Sequence, residues 1–257
     1  MAVDEADLAL LGRSRESFAS YWHGVDAQVR AAARTGRPVR IRPLVAFDFE
    51  AFCARRRLDP RGRDTLAAYE AEPVPAEELL LYQGEPADVL LQLMRHERDA
   101  WATGLRARRV LSNAVAQFGT AAEDESRADA RQLLDTLVGG ADDGDVLVLV
   151  AKAAGLVLGS YGMAVGRAAD GTLVDERDRH RMETLLAAAL LASARGTATL
   201  TSAPRPGANE RVRVWELSPA GLTPSEHGEL ILAPNTPAPR GPKVDYVPGF
   251  DLLGRSG

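Results

Sequence analysis

Cysteine and aromatic residues are scarce in this chain of 257 residues. Cys53 is the single cysteine, which excludes an internal disulfide framework and a zinc site built from cysteines. No histidine lies near it in the sequence, so we expect a small, buried apolar side chain and not a nucleophile. Aromatic residues make up 5%, so alanine, leucine and valine must fill the core, and alanine and leucine favour helices.

A strong excess of charge is also missing. The net charge of −5 argues against a broad surface for polyanions, although a local basic patch is compatible with it. The hydrophobic share of 46% and the charged share of 26% are typical of a globular protein. The first residues lack the basic and apolar regions of a secretory signal, and we therefore expect a cytoplasmic protein.

The sequence contains one long apolar run, from Asp145 to Gly166. Its 22 residues are long enough for a transmembrane helix. Lys152 within the run, the polar pair Ser160 and Tyr161, and the acidic residues on both sides argue against insertion. We expect no membrane association and interpret the run as buried inside the protein.

The secondary structure of this run has two interpretations. Val146, Val148 and Val150 alternate with other residues, which favours a strand. The residues that follow, 151–165, include better helix formers but also several glycines, which weaken a helix. We predict a buried central helix over 145–166 and keep a strand at its beginning as the alternative.

Most of the sequence before residue 195 shows helical periodicity. The longest helical pattern covers 86–118. An acidic loop, AAEDES, is expected before a helix at 127–138. Asp48 and Asp175 are predicted to be the N-caps of two further helices.

The pattern changes after residue 195. Two β-type runs, 197–202 and 211–217, are separated by proline, glycine and asparagine, which predicts a hairpin. A third strand is predicted at 228–234. The sequence therefore predicts an α+β fold that is mainly α-helical, with a helical, bundle-like body, a small antiparallel β-hairpin near 197–217 and an extended C-terminal tail.

Proline-rich stretches indicate the domain boundaries. The segment EPVPAEE separates an N-terminal helical subdomain, 1–72, from a main domain, 73–232. The remaining residues, 233–257, are predicted to be an extended tail because they contain five prolines.

The tail also carries an apolar cluster. Its members are Tyr246, Phe250, Leu252 and Leu253, and a disordered linker normally lacks such residues. We expect this cluster to dock, either onto its own domain or onto a partner or second subunit.

Two histidines are the candidates for catalysis. His180 has Glu176 and Glu183 at helical spacing, and two carboxylates around one imidazole can raise its pKa or begin a metal site. His96 is followed by Asp99, and either histidine is a candidate general base. Neither histidine has a glutamate three residues before it, which a di-metal carboxylate bundle needs. The glycines of the apolar run do not follow a phosphate-binding pattern, and we predict no metal and no cofactor.

Two short segments resemble known families. AADGTLVDERDRHRMETLL resembles the joint between helices in tellurite-resistance TerB-like domains, which implies that an apolar helix precedes it. ERVRVWELSPAG resembles the second wing strand and exit turn of winged-helix regulators. The second resemblance implies that arginines of this hairpin and of the preceding helix contact DNA phosphates. These arginines are Arg177, Arg179, Arg181, Arg211 and Arg213.

The leading functional interpretation is a non-enzymatic interaction or regulatory protein that acts within a complex. It rests on the lack of a complete catalytic or cofactor-binding motif in the sequence. A protein partner or self-association is expected. A winged-helix regulator that binds nucleic acid is the first alternative, and an enzyme with His180 or His96 as general base is the second.

Overall fold

The computed structural model describes residues 1–13, 15–62, 64–74, 79–153, 156–168, 171–202, 210–225 and 244–249. The chain divides into two compact units, Met1–Ala102 (unit 1) and Thr103–Gly257 (unit 2). The division falls inside one long helix, which contributes its first part to unit 1 and the remainder to unit 2.

Unit 1 is mainly helical. Its elements are α1 (Glu5–Leu10), α2 (Phe18–Ala33), β1 (Arg40–Ile41), α3 (Ala46–Arg56), α4 (Thr65–Glu70), β2 (Leu80–Leu81) and the first part of α5 (Ala87–Phe118). Strands β1 and β2 pair antiparallel. The bounds of α5 confirm the long helix predicted from the sequence.

Helix α2 shows how local sequence and packing combine in unit 1. The Ser17 hydroxyl caps the helix by accepting a hydrogen bond of 3.2 Å from the Ser20 backbone N–H, which satisfies a donor that the helix itself leaves free. The buried residues of α2 recur at helical spacing, and they share a core with residues of α5. These residues are Tyr21, Trp22, Val25 and Val29 of α2, with Leu90 and Met94 of α5.

The N-cap predicted at Asp48 is wrong. Helix α3 begins at Ala46, and its N-cap is Val45, which makes no side-chain cap bond. The Asp48 carboxylate instead accepts hydrogen bonds from Arg42, at 3.2 Å, and from the Tyr69 hydroxyl, at 2.6 Å. Its partners come from elsewhere in unit 1, and a local pattern in the sequence cannot show them.

Unit 2 combines helices with an antiparallel sheet. After the remainder of α5 its elements are α6 (Thr120–Gly139), β3 (Val146–Ala153), β4 (Leu156–Ala164), β5 (Gly166–Ala168), β6 (Gly171–Leu173), α7 (Glu176–Leu191), β7 (Arg195–Thr201), β8 (Glu210–Ser218), β9 (Gly221–Pro224) and β10 (Val244–Pro248). The main sheet has the strand order β10-β8-β7-β3-β4, and β9 also pairs with β8. All pairs in it are antiparallel except β10 with β8. Strands β5 and β6 form a separate antiparallel pair.

The buried helix predicted over 145–166 is wrong, because this run forms β3 and β4. Strand β3 lies inside the sheet, between β4 and β7. Leu147 and Leu149 of β3 are 1% exposed, whereas Val146, the first residue of the strand, is 39% exposed. The period of two that begins at Val146 therefore outweighs the helix propensity of the alanines and leucines.

The same finding corrects what the TerB-like resemblance implies. The segment 168–186 begins at the last residue of β5 and ends within α7, and the elements directly before it are the strands β3, β4 and β5. Among the described residues, no apolar helix therefore directly precedes it. The Asp175 N-cap predicted for α7 is confirmed, because its carboxylate accepts hydrogen bonds from the backbone N–H groups of Arg177 and Asp178.

Helices α6 and α7 pack antiparallel, and polar bonds connect them at three levels. The Ser126 hydroxyl of α6 donates to the Ala187 carbonyl of α7 at 2.7 Å. Further along, Arg131 pairs with Glu183 at 3.0 Å, and Arg179 pairs with Asp135. Helix α7 also packs against β3 and β4, so it forms the layer between α6 and this part of the sheet.

The acidic loop predicted at AAEDES is wrong, because these residues form the first turns of α6. Glu123 ion-pairs with Arg127, one turn later, at 2.8 Å. Acidic residues also interact favourably with the positive end of the helix dipole. Both effects favour a helix over the loop suggested by the local charge.

The predicted fold class is confirmed: the protein is an α+β protein that is mainly helical. The predicted hairpin is present as β7 and β8, which pair antiparallel from Gly196 with Leu217 to Thr201 with Val212. The strand predicted at 228–234 lies outside the described residues. Among the residues that the structure describes, no helix is both long and apolar enough to cross a membrane.

Candidate docking groove

A groove of about 410 Å³ lies in unit 2 beside α6. One wall is α6, a second is the end of α7, and a third is the turn between β8 and β9. The lining residues of α6 include Glu125, Ser126, Asp129 and Leu133, and the turn contributes Pro219 to Leu222.

The floor of the groove is apolar. Leu133 of α6 and the two residues that end α7, Leu190 and Leu191, are half-buried, and Leu222 of β9 is buried. Burying a leucine side chain that is still in contact with water contributes up to about 2 kcal/mol to the free energy of binding. The groove therefore offers a ligand an apolar surface that its own chain leaves partly uncovered.

The rim of the groove is acidic. Glu125 and Asp129 are exposed, lie one helical turn apart on α6 and line the groove. Neither carboxylate has an ion pair or a side-chain hydrogen bond with any residue in the described part of the chain. Two like charges at this spacing destabilise a helix by about 0.2–0.5 kcal/mol, and a cation placed between them would remove that repulsion.

Two other acidic residues of α6 are neutralised by arginines. Glu123 pairs with Arg127, and Asp135 pairs with Arg179. Glu125 and Asp129 thus supply the negative charge of the groove lining that no described residue neutralises.

A second cavity, of about 440 Å³, lies in unit 1. Arg42 and Tyr69 are part of its lining. The Arg42 guanidinium lies 4.0 Å from the centre of the Tyr69 ring, donates to the Tyr69 carbonyl and pairs with Asp48. Burial, the hydrogen bond to Asp48 and the charge of Asp48 raise the pKa of the Tyr69 hydroxyl above its ordinary value of 10.0. Because the polar groups of this cluster bind one another, the cluster has the character of a structural network.

The candidate catalytic residues do not form one cluster. His180 and Glu176 are exposed on α7, whereas Glu183 is buried and pairs with Arg131 of α6. His96 is exposed on α5, and the Asp99 carboxylate accepts a hydrogen bond of 3.3 Å from Arg98. Within the described residues, no group of three histidine, cysteine, aspartate or glutamate side chains is arranged to hold a metal ion.

Three of the five arginines proposed to contact DNA lie in the first two turns of α7. Arg179 pairs with Asp135 of α6. Arg181 makes a hydrogen bond to the Tyr161 hydroxyl. This bond lowers the pKa of the hydroxyl, but burial raises that pKa by more. Arg177 lies 4.0 Å from the Asp178 carboxylate.

The other two arginines, Arg211 and Arg213, are on one face of β8. Arg213 donates a hydrogen bond of 3.0 Å to the Gly140 carbonyl at the end of α6. Strand β8 has β7 on one side and both β9 and β10 on the other. The DNA-binding interpretation stays a prediction.

Of the four apolar tail residues that were predicted to dock, one lies in the described part of the chain. Tyr246 belongs to β10, whose backbone pairs with β8 at Val212. Phe250, Leu252 and Leu253 lie outside the described residues. The backbone of 244–248 thus adds a strand to the sheet of its own unit.

Sequence reasoning missed the groove because its residues come from three separate segments. The one local signal was the pair Glu125 and Asp129, which has the i, i+4 spacing of one helix face. An acidic loop was expected at that point, so the pair was not placed on a helix. Nothing in the sequence around Leu190, Leu191 and Leu222 relates them to this pair.

Comparison with known proteins identifies a relation for unit 1 alone. The family described as Domain of unknown function (DUF8829) matches residues 1–85, which is 85 of the 257 residues of the chain. No curated protein and no solved structure matches the chain. The matched segment lies within unit 1, and the groove beside α6 lies outside it.

Proposed function

We propose that the protein is a non-enzymatic interaction protein, and that the groove of unit 2 binds a basic, amphipathic segment of a partner protein. The observation that carries this proposal is the combination, in one groove, of partly exposed leucines with two carboxylates that have no partner among the described residues. A segment with leucine-like side chains on one side and lysine or arginine on the other is complementary to both features.

The two features would contribute differently to binding. The leucines Leu133, Leu190 and Leu191 supply the apolar area whose burial drives association. The carboxylates of Glu125 and Asp129 supply orientation and preference for cations, because an exposed ion pair contributes only about 0.2–1 kcal/mol. We therefore expect binding to be moderate in strength and to weaken as salt increases.

The test uses a synthetic helix-forming peptide of leucine and lysine, labelled with fluorescein, and a matched peptide of leucine and glutamate. Fluorescence anisotropy measures the affinity of each peptide for the full chain. We expect the leucine–lysine peptide to bind and the leucine–glutamate peptide not to bind. Equal binding of both peptides, or of neither, contradicts the proposal.

Charge reversal on α6 then locates the site. Glu125→Lys and Asp129→Lys should each weaken binding of the leucine–lysine peptide by about fivefold or more, which corresponds to about 1 kcal/mol. Asp124→Lys is the matched control, because Asp124 is exposed on the same helix and does not line the groove. The three variants change the net charge equally. If Asp124→Lys weakens binding as much as the other two, the effect is one of overall charge and the groove is not the site.

The alternatives from the sequence stay separate predictions. For the DNA-binding alternative, a gel shift with duplex DNA at low salt is the measurement, and it should show binding that falls steeply with salt. For the enzyme alternative, His180→Ala and His96→Ala should abolish an activity without unfolding the chain.

A further inference from the structure

Unit 1 carries a strongly basic surface where α3 ends. Four residues form this surface, which we call the basic corner: Arg56, Arg57, Leu58 and Arg61. Residues 54–59 are all exposed, and so is Arg61. The basic corner is therefore accessible to a binding partner.

The positive charges of the basic corner have no partner among the described residues. The side chains of Arg56, Arg57 and Arg61 make no ion pair and no hydrogen bond with any residue in the described part of the chain. Asp59 is the one acidic residue between Arg56 and Arg61, and its carboxylate accepts a hydrogen bond of 3.0 Å from the Arg61 backbone N–H. The corner therefore has an excess of positive charge.

Leu58 adds apolar surface to this charge. Its side chain is 37% exposed. Of the large apolar side chains that are exposed in the described part of the chain, Leu58 alone has arginines within three residues of it in the sequence. A leucine flanked by arginines is complementary to a groove with a leucine floor and an acidic rim.

The backbone at Arg57 is strained. Arg57 is the C-cap of α3, and its φ of 55° lies in the left-handed region. This conformation is unfavourable for a residue with a Cβ atom, and helices that end in it usually have glycine there. The stability of α3 therefore does not account for an arginine at this position. Backbone strain of this kind is frequent at binding sites, which agrees with a role of the side chain in recognition.

We propose that the protein self-associates, with the basic corner of one copy docked in the groove beside α6 of a second copy. Leu58 then packs on the leucine floor, and Arg56 and Arg57 face the two carboxylates of the acidic rim. This inference rests on the proposed function of the groove, and it names a second copy as the source of the basic segment. The contact joins two different surfaces, and each copy carries one of each.

Sedimentation velocity of the full chain is the first measurement. We expect the sedimentation coefficient to rise with protein concentration at low salt and to fall when salt is added, because the ion pairs at the contact are screened. A coefficient that keeps the monomer value at concentrations up to about 1 mM overturns the inference. Docking of the corner within a single chain would give that same constant value.

Two altered chains then locate the contact. The first carries Arg57→Gly and Leu58→Ser and keeps the groove, whereas the second carries Glu125→Lys and Asp129→Lys and keeps the basic corner. Each alone should self-associate about tenfold more weakly than the unaltered chain. An equal mixture should form a dimer of one chain of each kind, because each supplies the surface that the other lacks. A mixture that stays monomeric overturns the inference.

The control for charge and folding is Arg34→Gly. Arg34 is the exposed C-cap of α2, has an ordinary right-handed conformation and lies outside the basic corner. Its replacement removes the same charge and should leave self-association unchanged. Arg57→Gly alone should weaken self-association without lowering the melting temperature, because glycine relieves the strain at this position. Equal effects of Arg34→Gly and Arg57→Gly on self-association contradict the inference.

The leucine–lysine peptide separates this inference from the proposed function. If the peptide binds in the groove but the full chain stays monomeric, the groove binds another protein and self-association is wrong. If the two altered chains form the mixed dimer but the peptide binds to no variant, the groove recognises a second copy, and its proposed role as a receptor for basic segments of other proteins is wrong.

Discussion

The Tyr161 hydroxyl of β4 donates a hydrogen bond of 2.6 Å to the Asp178 carboxylate in the first turn of α7. Tyr161 is 4% exposed, so this bond connects the sheet to the helix layer at a site largely shielded from water. Burial and the bond to Asp178 raise the pKa of the hydroxyl above its ordinary value of 10.0, against the opposite effect of Arg181. This hydrogen bond is the basis of the first two predictions.

Tyr161→Phe should destabilise unit 2 by about 1.5–3 kcal/mol, the range for a hydrogen bond to a charged group. The ring is retained, so the loss reports the hydroxyl and not the packing. Urea denaturation followed by circular dichroism gives the free energy of unfolding. Tyr82→Phe is the control, because its hydroxyl makes only a bond of 3.3 Å to a carbonyl three residues away. Equal effects of the two changes would contradict the prediction.

Alkaline pH should unfold the protein in part through two tyrosines. The pKa values of Tyr69 and Tyr161 are raised in the folded state by burial and then by the neighbouring aspartates. The unfolded chain therefore loses these protons at a lower pH than the folded chain does. Their contribution to stability is complete below a pH of about 10 and falls as the pH rises above it.

The absorbance of tyrosinate at alkaline pH measures this effect. In the wild-type chain, ionisation of Tyr69 and Tyr161 should coincide with unfolding detected by circular dichroism. Tyr69→Phe and Tyr161→Phe should each remove amplitude from that phase. If both variants keep its full amplitude, the two hydroxyls titrate outside the unfolding transition and the prediction is wrong.

Gly196→Ala should be among the most destabilising single changes in unit 2. A Cβ atom at this position would lie 1.9 Å from the Val150 carbonyl oxygen, and backbone in the centre of a sheet cannot move aside easily. We expect a loss of about 3 kcal/mol. Gly104→Ala is the matched control in the same unit, since the nearest atom to its Cβ would be the end of the Arg108 side chain at 3.8 Å. That change should instead stabilise α5 by up to about 1 kcal/mol.

Cys53 should be unreactive in the folded protein. Its side chain is 2% exposed within the core of α3 and α4, and burial raises the pKa of the thiol, which lowers the fraction of reactive thiolate. Reaction with a thiol reagent should be more than about a hundredfold slower than in the unfolded chain, because it requires local opening. An exposed comparator, Ser20→Cys in a Cys53→Ala chain, should react rapidly. A similar rate at both positions would refute the expected burial.

The helices of this protein follow mainly from local sequence. The long helical pattern, the Asp175 cap and the hairpin after residue 195 depend on neighbouring residues, whose spacing is visible in the chain. Two local signals led to wrong predictions. The Asp48 carboxylate was assigned to a cap but bonds to Arg42 and Tyr69, and AAEDES was assigned to a loop but forms helical turns.

Tertiary structure decided the form of the apolar run from Asp145 to Gly166. Its composition is compatible with a helix or with strands, and its local sequence pattern does not decide between them. Pairing of β3 with β4 on one side and β7 on the other satisfies its backbone groups and buries one face beneath α7. Strand β4 belongs to the run itself, but β7 and α7 come from later in the chain, so their contribution is not contained in the run.

The sequence by itself determined the fold class, the absence of a disulfide framework and the burial expected of Cys53, because composition and periodicity carry that information. The groove beside α6 was decided by tertiary structure alone. Glu125 and Asp129 are neighbours on one helix, but Leu190 and Leu222 reach them only because α7 packs against α6 and the turn between β8 and β9 closes the third side. The acidic and apolar residues form one site only when α6, α7 and the turn between β8 and β9 come together. The spacing of these residues along the chain does not show that they do.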